Sequence, residues 1–102
     1  IVLVSMSGKR SKGNLASYSM SKFALMSLCQ TMRNEGWSKG IRVTSICPGW
    51  VNTDMAKEIN QFPKIDMTQP DDIANICSNL LSLPNSSVPF EIAINCQLET
   101  TN

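Results

Sequence analysis

Three short apolar runs alternate with two segments of helical periodicity, and this alternation constrains the fold more than any other feature. The runs are residues 1–4, 41–47 and 90–96, and the helical segments are residues 16–37 and a stretch that begins at Pro70. A strand–helix–strand–helix–strand order with connections of this length is typical of parallel strands joined by crossover helices. The sequence therefore predicts an α/β fold built on a parallel sheet.

The ends of the first two runs resemble strand ends. Residues 1–4 are continuously apolar, which suits a strand buried on both faces, and the run ends at Ser5 before a stretch that contains Gly8. The second run stops at Pro48 and Gly49, which are strong breakers of regular structure. We expect a turn after each strand.

The long helix carries an unusually wide apolar surface. The apolar residues at helical spacing are Ala16, Met20, Phe23, Ala24, Leu28 and Met32, and Leu25, Met26 and Cys29 widen the stripe. A surface this wide needs cover on two sides, so we expect the sheet on one side and a second subunit on the other. The next helix should begin at Pro70, with two acidic residues favouring its first turn, and a short helix is expected over residues 54–60.

Composition excludes several classes of function. With 102 residues, 42% of them hydrophobic and 17% charged, the chain has the composition of an ordinary globular protein. A net charge of +1, with no basic run longer than Lys9-Arg10, gives no field that would attract nucleic acid or an anionic membrane. No stretch approaches the roughly 18 apolar residues of a membrane span.

The four cysteines predict neither a disulfide framework nor a metal site. Cys29, Cys47, Cys77 and Cys96 are widely spaced and form no C-x-x-C pair, and the chain has no His. Each lies in an apolar run. We interpret them as small buried side chains in a reducing compartment, which indicates the cytoplasm.

One pair of residues suggests acid–base chemistry. Tyr18 and Lys22 are four residues apart near the start of the long helix, so their side chains share one face. A phenol is too weak an acid to serve well at neutral pH, and a nearby ammonium favours its ionised form. The spacing alone is common by chance. Ser5 adds context, because a hydroxyl at the carboxyl end of a parallel strand can hydrogen-bond a substrate oxygen or, equally, a local backbone group.

Three motifs in order carry a family resemblance. They are residues 1–8 (IVLVSMSG), 18–25 (YSMSKFAL) and 41–53 (IRVTSICPGWVNT), and the helix that begins at Gln69-Pro70 supports them. Together they resemble the second half of the short-chain dehydrogenase/reductase family, over about residues 1–96. The resemblance implies the C-terminal part of a doubly wound, parallel-sheet, NAD(P)-binding Rossmann-type domain. Residues 1–102 would form one portion of that single domain, with its N-terminal half absent.

The resemblance also implies an activity and a role for each catalytic residue. The protein would interconvert an alcohol and a carbonyl compound by hydride transfer. Ser5, favoured over Ser7 by its spacing to Gly8 and Tyr18, would bind and polarise the substrate oxygen. Tyr18 would pass a proton to or from that oxygen as general acid or base. Lys22 would favour the tyrosinate and hydrogen-bond the nicotinamide ribose.

The implied cofactor is NAD or NADP, with NADP slightly favoured. Besides Tyr18 and Lys22, its binding residues would be Pro48, Gly49, Val51 and Thr53. Pro48, Gly49 and Val51 would lie beside the nicotinamide, and Thr53 would contact its carboxamide or a nearby phosphate. The substrate would be a small molecule, and the protein would form a homo-oligomer through the helix at 16–37.

Two departures from the family pattern support an alternative. Residues 1–102 contain no G-x-x-x-G-x-G turn for the pyrophosphate. The last strand lacks the Gly-rich segment that follows it in many members and runs into a polar tail, which from Gln97 carries no recognisable signal. This chain alone would then be inactive and marginally stable or associated. The alternative is a non-catalytic remnant that serves as an oligomerisation element.

Overall fold

The computed structural model describes residues 1–100, and regular elements follow in the predicted order. The strands are β1 (Val2–Leu3), β2 (Ser45–Pro48) and β3 (Glu91–Ile94), and the helices are α1 (Ala16–Gly36) and α2 (Pro70–Leu81). Short 3-10 turns lie between them at Met6–Gly8, Trp37–Lys39, Asp54–Ala56 and Lys64–Asp66. Both predicted long helices are confirmed within one residue of their expected starts.

The three strands form one parallel sheet in the order β1-β2-β3. Val2 lies opposite Ser45, and Ile46 lies opposite both Leu3 and Ile92. The sheet confirms the predicted α/β class and its parallel pairing. All three carboxyl ends therefore meet at the same edge of the sheet.

The two helices cover opposite faces of β2. Consecutive side chains of a strand point to opposite faces. Ile46 packs in a cluster with Ile73 and Leu80 of α2, whereas Cys47 packs in a cluster with Met26 of α1. The fold is thus three layers, helix on sheet on helix, and β2 is its fully buried centre.

Strand β2 begins later than the apolar pattern indicated. The amide of Ile41 donates to the carbonyl of Gly36 at 3.0 Å, which closes the turn after α1. Gly40 occupies the left-handed region there, with φ of 80°. Residues 41–43 therefore belong to the approach to the sheet, and the ladder starts where the amide of Val2 meets the carbonyl of Thr44.

The prediction that the first strand is buried on both faces was wrong, whereas the sheet covers one side of α1 as predicted. Leu3 is 59% exposed because β1 lies at the edge of the sheet formed by residues 1–100, so this strand is not buried on both faces. In α1 the core face is formed by Met26 and Cys29, while Met20 and Phe23 of the first predicted stripe are exposed. The turn at Met6–Gly8 and the sheet meet only the Met26 side of the helix.

The predicted helix at 54–60 is only the 3-10 turn Asp54–Ala56. The ammonium of Lys64 donates to the carbonyl oxygens of Ala56 and Ile59, in the latter case at 2.7 Å. Those carbonyls would accept hydrogen bonds from a continuing helix. Their capture by Lys64 explains why the chain leaves the helical path.

Within residues 1–100 the four cysteines are free thiols, and Cys29, Cys47 and Cys96 are buried, as predicted. No group of His, Cys, Asp or Glu side chains in this part of the chain could hold a metal ion. No helix among these residues is long and apolar enough to cross a membrane.

Candidate active site

A cleft of about 660 Å³ opens at the carboxyl ends of β1 and β2. Its walls come from the turn after β1, the start of α1, the segment after β2 and the tail. The residues expected to carry chemistry all line it: Ser5, Tyr18, Lys22, Pro48, Gly49, Val51 and Thr53. These residues come from three separated parts of the sequence and share one cavity.

Ser5 is the residue at which β1 turns into the site. It precedes the 3-10 turn Met6–Gly8, and its Oγ accepts a hydrogen bond from the amide of Ser7 at 3.0 Å. Its carbonyl accepts from the amide of Gly8, also at 3.0 Å. The second bond holds the backbone of the turn, and the first holds the buried Ser5 side chain. Because the bond to Oγ uses a lone pair, it leaves the hydroxyl proton free to be donated.

Tyr18 and Lys22 lie in the first two turns of α1, half-buried against the cleft. The Lys22 ammonium is 5.5 Å from the centroid of the Tyr18 ring, within range of a cation–π attraction. The helix enters this region through Asn14, whose φ of 65° places it in the left-handed conformation. That bend turns the chain so that α1 starts beside the turn that carries Ser5.

Gly8 sets the separation between the Ser5 turn and α1. A Cβ on Gly8 would lie 3.0 Å from the carbonyl oxygen of Lys22 and equally close to side-chain atoms of Met26 and Val4. Contacts that close are tighter than ordinary packing, so a larger residue would push the turn away from the helix. Gly8 therefore determines how near Ser5 lies to the Tyr18 turn.

The segment after β2 is held by a second set of contacts. Val51 forms an isolated parallel bridge with Thr68, in which the amide of Asn52 donates to Thr68 and the amide of Thr68 donates to Trp50. The Val51 amide is not used in this bridge. The rings of Trp50 and Phe62 pack at a tilt with centroids 6.1 Å apart, which adds an apolar side to the segment.

Gln69 ties this segment to the start of α2. Its side-chain nitrogen donates to the carbonyls of Lys64 and Met67 at 3.1 and 3.0 Å. Its side-chain oxygen accepts from the side-chain amide of Asn52 at 3.1 Å. One side chain thus joins the loop after the cleft to the helix behind it. The sequence offered only the position of Gln69 before Pro70 as a signal.

The tail contributes a residue that the sequence did not indicate. The Glu99 carboxylate accepts hydrogen bonds from the amides of Trp50 at 3.2 Å and Cys96 at 2.9 Å, and it lines the cleft. It occupies the space that a side chain on Gly49 would fill, so a larger residue at position 49 would displace the Glu99 carboxylate. The interpretation that residues from Gln97 carry no signal was wrong for Glu99; Thr101 and Asn102 lie outside the described residues.

Cys47 lies next to the cleft but is not set up as a nucleophile. Burial raises the pKa of its thiol, and a hydrogen bond with the backbone of Ser5 opposes that rise only partly. The thiol therefore stays protonated at neutral pH, where the reactive thiolate is needed. Its role is in the core beside Met26.

This geometry can be compared with known proteins. Residues 1–64 match the family model described as short chain dehydrogenase. The chain belongs to the short-chain dehydrogenase/reductase family. The match includes the Ser5 turn, the Tyr18 turn of α1 and the segment at 48–53, and it makes the chain a member of an oxidoreductase family.

Individual members of the family resemble the chain along most of its length. An agropine synthesis reductase of Rhizobium rhizogenes is 36% identical over 96 residues, which cover 94% of this chain and 22% of that protein. A second match, an acetoacetyl-CoA reductase of Shinella zoogloeoides, is 32% identical and covers 76% of this chain and 36% of that protein. The chain spans between about a fifth and a third of the length of these relatives.

A solved structure shares the Rossmann-type fold. The β-ketoacyl-[ACP] reductase of Bacteroides thetaiotaomicron matches with a TM-score of 0.76 and 36% identity, over 93% of this chain and 38% of that one. A 4-hydroxyisoleucine dehydrogenase mutant complexed with NADH and succinate matches with a TM-score of 0.80 and 26% identity, over 98% of this chain and 46% of that one. The likeness to both confirms the predicted fold class.

Proposed function

We propose that the protein is an NAD(P)-dependent oxidoreductase that interconverts an alcohol and a carbonyl compound, with Tyr18 as its general acid and base. Family membership supports the reaction class. The observation that carries the proposal is that Ser5, Tyr18 and Lys22 line one cleft with Pro48, Gly49, Val51 and Thr53. Residues 1–100 would then be part of a dinucleotide-binding domain.

In the reductive direction, the side chains act on the substrate oxygen. The free hydroxyl proton of Ser5 donates a hydrogen bond to that oxygen and stabilises the negative charge that develops on it. Tyr18 transfers its phenolic proton to the same oxygen, and the alcohol forms. Lys22, whose ammonium lies near the Tyr18 ring, stabilises the tyrosinate that remains. In oxidation the proton moves back to Tyr18.

The residues present fit the nicotinamide end of a dinucleotide. The cofactor supplies or accepts the hydride at the substrate carbon when it is bound. The Val51 amide, unused in the bridge to Thr68, is available to a carboxamide oxygen, and the Thr53 hydroxyl lies beside the same backbone. The NADH in the 4-hydroxyisoleucine dehydrogenase structure supports a nicotinamide cofactor, either NAD or NADP.

Replacement of Tyr18 by Phe in the full-length protein tests the proposal. The variant keeps the ring and loses only the hydroxyl, so carbonyl reduction with NADH or NADPH should fall by about 10²- to 10⁴-fold in kcat, the range of general acid–base catalysis. The melting temperature should not change. A kcat close to that of the unaltered protein would reject Tyr18 as the proton donor.

Ser5 and Ser7 provide a matched pair of variants. Both are buried serines that line the cleft, three residues or fewer before Gly8. Ser5→Ala should lower kcat by at least about tenfold, because a donor to the developing oxyanion is lost. Ser7→Ala should have a much smaller effect on kcat. The reverse order would transfer the role to Ser7.

A second function, assembly through α1, is favoured by a separate observation. Met20, Phe23 and Leu28 are 71%, 45% and 51% exposed, an apolar surface that the rest of residues 1–100 leaves uncovered. We propose that a second copy of the chain covers it. Phe23→Lys should shift sedimentation towards the monomer, whereas Leu81→Lys on α2 should not, although Leu81 is 79% exposed. Equal behaviour of the two variants would contradict assembly through α1.

A further inference from the structure

The turn between Ser5 and Tyr18 places two cations in the cleft that the proposed chemistry does not use. Arg10 and Lys12 both line the cavity. Within residues 1–100 neither side chain forms a hydrogen bond or an ion pair; Lys9, in contrast, pairs with Glu91. The two side chains are therefore available to a ligand in the cleft.

The Arg10 guanidinium is the stronger indication of a ligand. Its Nε is buried from solvent and has no hydrogen-bond partner in the part of the chain that the structure describes. An unpaired buried donor is rare and costly, and no group of residues 1–100 compensates the Arg10 guanidinium at this point. Because Arg10 also lines the cleft, its guanidinium lies beside the space that a ligand would fill.

The balance of charge around the cleft favours an anion. Besides Arg10 and Lys12, the cationic lining includes Lys22, and the acidic lining among residues 1–100 is Glu99 alone. The Glu99 carboxylate is already hydrogen-bonded to the amides of Trp50 and Cys96, on the segment after β2. It is thus engaged by other groups, and the charge of Arg10 is left for a ligand.

We propose that Arg10, assisted by Lys12, binds a carboxylate on the substrate, so that the enzyme acts on oxo acids or hydroxy acids. The inference rests on the proposed function, since it concerns the substrate of the same site. Arginine presents paired N–H donors in the geometry of a carboxylate, which suits it to hold and orient such a group. The carbonyl of that substrate would then face Ser5 and Tyr18, which flank Arg10 in the sequence.

A phosphate of the cofactor is the other source of an oxyanion. Position favours the substrate, because Arg10 and Lys12 lie between the two hydroxyl residues that would address the substrate oxygen. The segment expected to meet the cofactor, residues 48–53, contains no Lys or Arg. The binding of NADPH and of inorganic phosphate to an Arg10 variant separates the two sources.

Binding to the full-length protein tests the proposal without the need for turnover. The probes are pyruvate, acetoacetate and levulinate, each compared with its methyl ester, and the dissociation constants are measured by calorimetry in the Tyr18→Phe variant with NADH or NADPH present. The three acids place the carboxylate at different distances from the carbonyl. At least one acid should bind about tenfold or more tightly than its ester, as expected for a charge-assisted hydrogen bond to one group.

The same binding measurements on variants of Arg10 and Lys12 form the second part of the experiment. Arg10→Gln should remove the preference for the acid, Arg10→Lys should keep part of it, and Lys12→Gln should reduce it less. Lys39→Gln is the matched control, because Lys39 is an exposed lysine at the far end of α1 and should leave the preference unchanged. Arg10→Lys keeps the test available if Arg10→Gln does not fold.

Three outcomes would overturn the proposal. The first is equal binding of acid and ester in all three pairs. The second is a preference for acids that survives Arg10→Gln. The third is weaker binding of NADPH or of inorganic phosphate in Arg10→Gln with the acid preference intact, which would assign Arg10 to the cofactor. If the protein with Tyr18 intact reduces no carbonyl compound but still binds an acid selectively, the proposed function is rejected and the carboxylate site is retained.

Discussion

The two helices cover the same strand from opposite faces, yet they differ in what they leave uncovered. In α2 the residues that pack on the sheet, Ile73 and Leu80, follow one narrow stripe. In α1 the packed residues are Met26 and Cys29, while the larger Phe23 is 45% exposed. The shorter helix serves one surface, and the longer helix carries apolar residues for more than one.

The difference shows how additional neighbours modify the apolar pattern of a helix. In helix α2 the apolar stripe and the core face coincide apart from Leu81, which is 79% exposed at the end of the helix. Helix α1 must also present Tyr18 and Lys22 to the cleft and receive the turn at Gly8. The apolar residues of α1 are therefore spread over more than one face. The face that packs on the core, with Met26 and Cys29, is not the face with the most apolar side chains.

The largest expected effect comes from two methionines of α1. Met26 is 7% exposed in the core and Met20 is 71% exposed. Met26→Ala should lower the free energy of unfolding by about 2–5 kcal/mol, because it leaves a cavity between α1 and the sheet. Met20→Ala should change it by no more than about 0.5 kcal/mol. Equal losses in urea unfolding would mean that Met20 also lies in a core.

A glycine pair tests the contact between α1 and the Ser5 turn. Gly8→Ala would place a methyl group against the Lys22 carbonyl and should cost about 1–3 kcal/mol of stability, with a fall in kcat as Ser5 shifts. Gly13→Ala is the control, because a Cβ there meets no atom of residues 1–100 within 4 Å. A Gly8→Ala protein of unaltered stability and kcat would show that the turn tolerates the shift.

The stability of helix α2 should depend on one hydrogen bond at its N-terminus. The Asp72 carboxylate accepts a hydrogen bond from the amide of Gln69 at 3.2 Å, and the neighbouring Asp71 has no such bond. Asp72→Ala should therefore cost about 0.5–1 kcal/mol in thermal unfolding, and Asp71→Ala less. Similar losses would attribute the effect to the helix dipole alone.

The smallest effect concerns the ion pair between Lys9, after the Ser5 turn, and Glu91 of β3. The hydrogen bond to Glu91, 2.5 Å long, is the main cause that raises the pKa of Lys9 above its ordinary 10.5. The stabilisation by this ion pair is fully present below the pKa of Lys9 in the unfolded chain. It is lost as the pH rises through the higher pKa of Lys9 in the folded protein. Both side chains are 31% exposed, so solvent screening limits the contribution to at most about 1 kcal/mol.

Unfolding at pH 8 and pH 11.5 measures this contribution. Lys9→Gln should be less stable than the unaltered protein at pH 8, and the difference should shrink at pH 11.5. Lys39→Gln should show no such change with pH. A difference that grows with pH would contradict the direction of the Lys9 shift.

The sequence predicted those features that depend on local pattern. The starts of α1 and α2 and the parallel order of the strands follow from periodicity. The residues that share the cleft were named from the family resemblance of motifs that follow the strands. The strand bounds were less accurate, because the Ile41 amide is taken by the carbonyl of Gly36 across a turn. Lys64 likewise ends the helix expected at 54–60 through contacts that no local pattern encodes.

The same limit explains which site residues were missed. Glu99 reaches the cleft by a contact with Trp50 across 49 positions of sequence, and Gln69 reaches Asn52 across 17. Arg10 has an ordinary sequence context, and only the burial of its Nε distinguishes it. Such residues are found from three-dimensional contacts, whereas Tyr18 and Lys22 were found from their spacing together with the family resemblance of the motifs around them.

Because Glu99 accepts a hydrogen bond from the amide of Trp50, a ligand that uses this amide would have to replace one acceptor by another. The amide of Trp50 already has a carboxylate acceptor, so a ligand atom that takes this amide must first displace Glu99. The gain in free energy is then the difference between two acceptors, which is smaller than the value of a hydrogen bond to an unoccupied donor. A ligand acceptor weaker than a carboxylate would therefore gain little from this amide as long as Glu99 holds it.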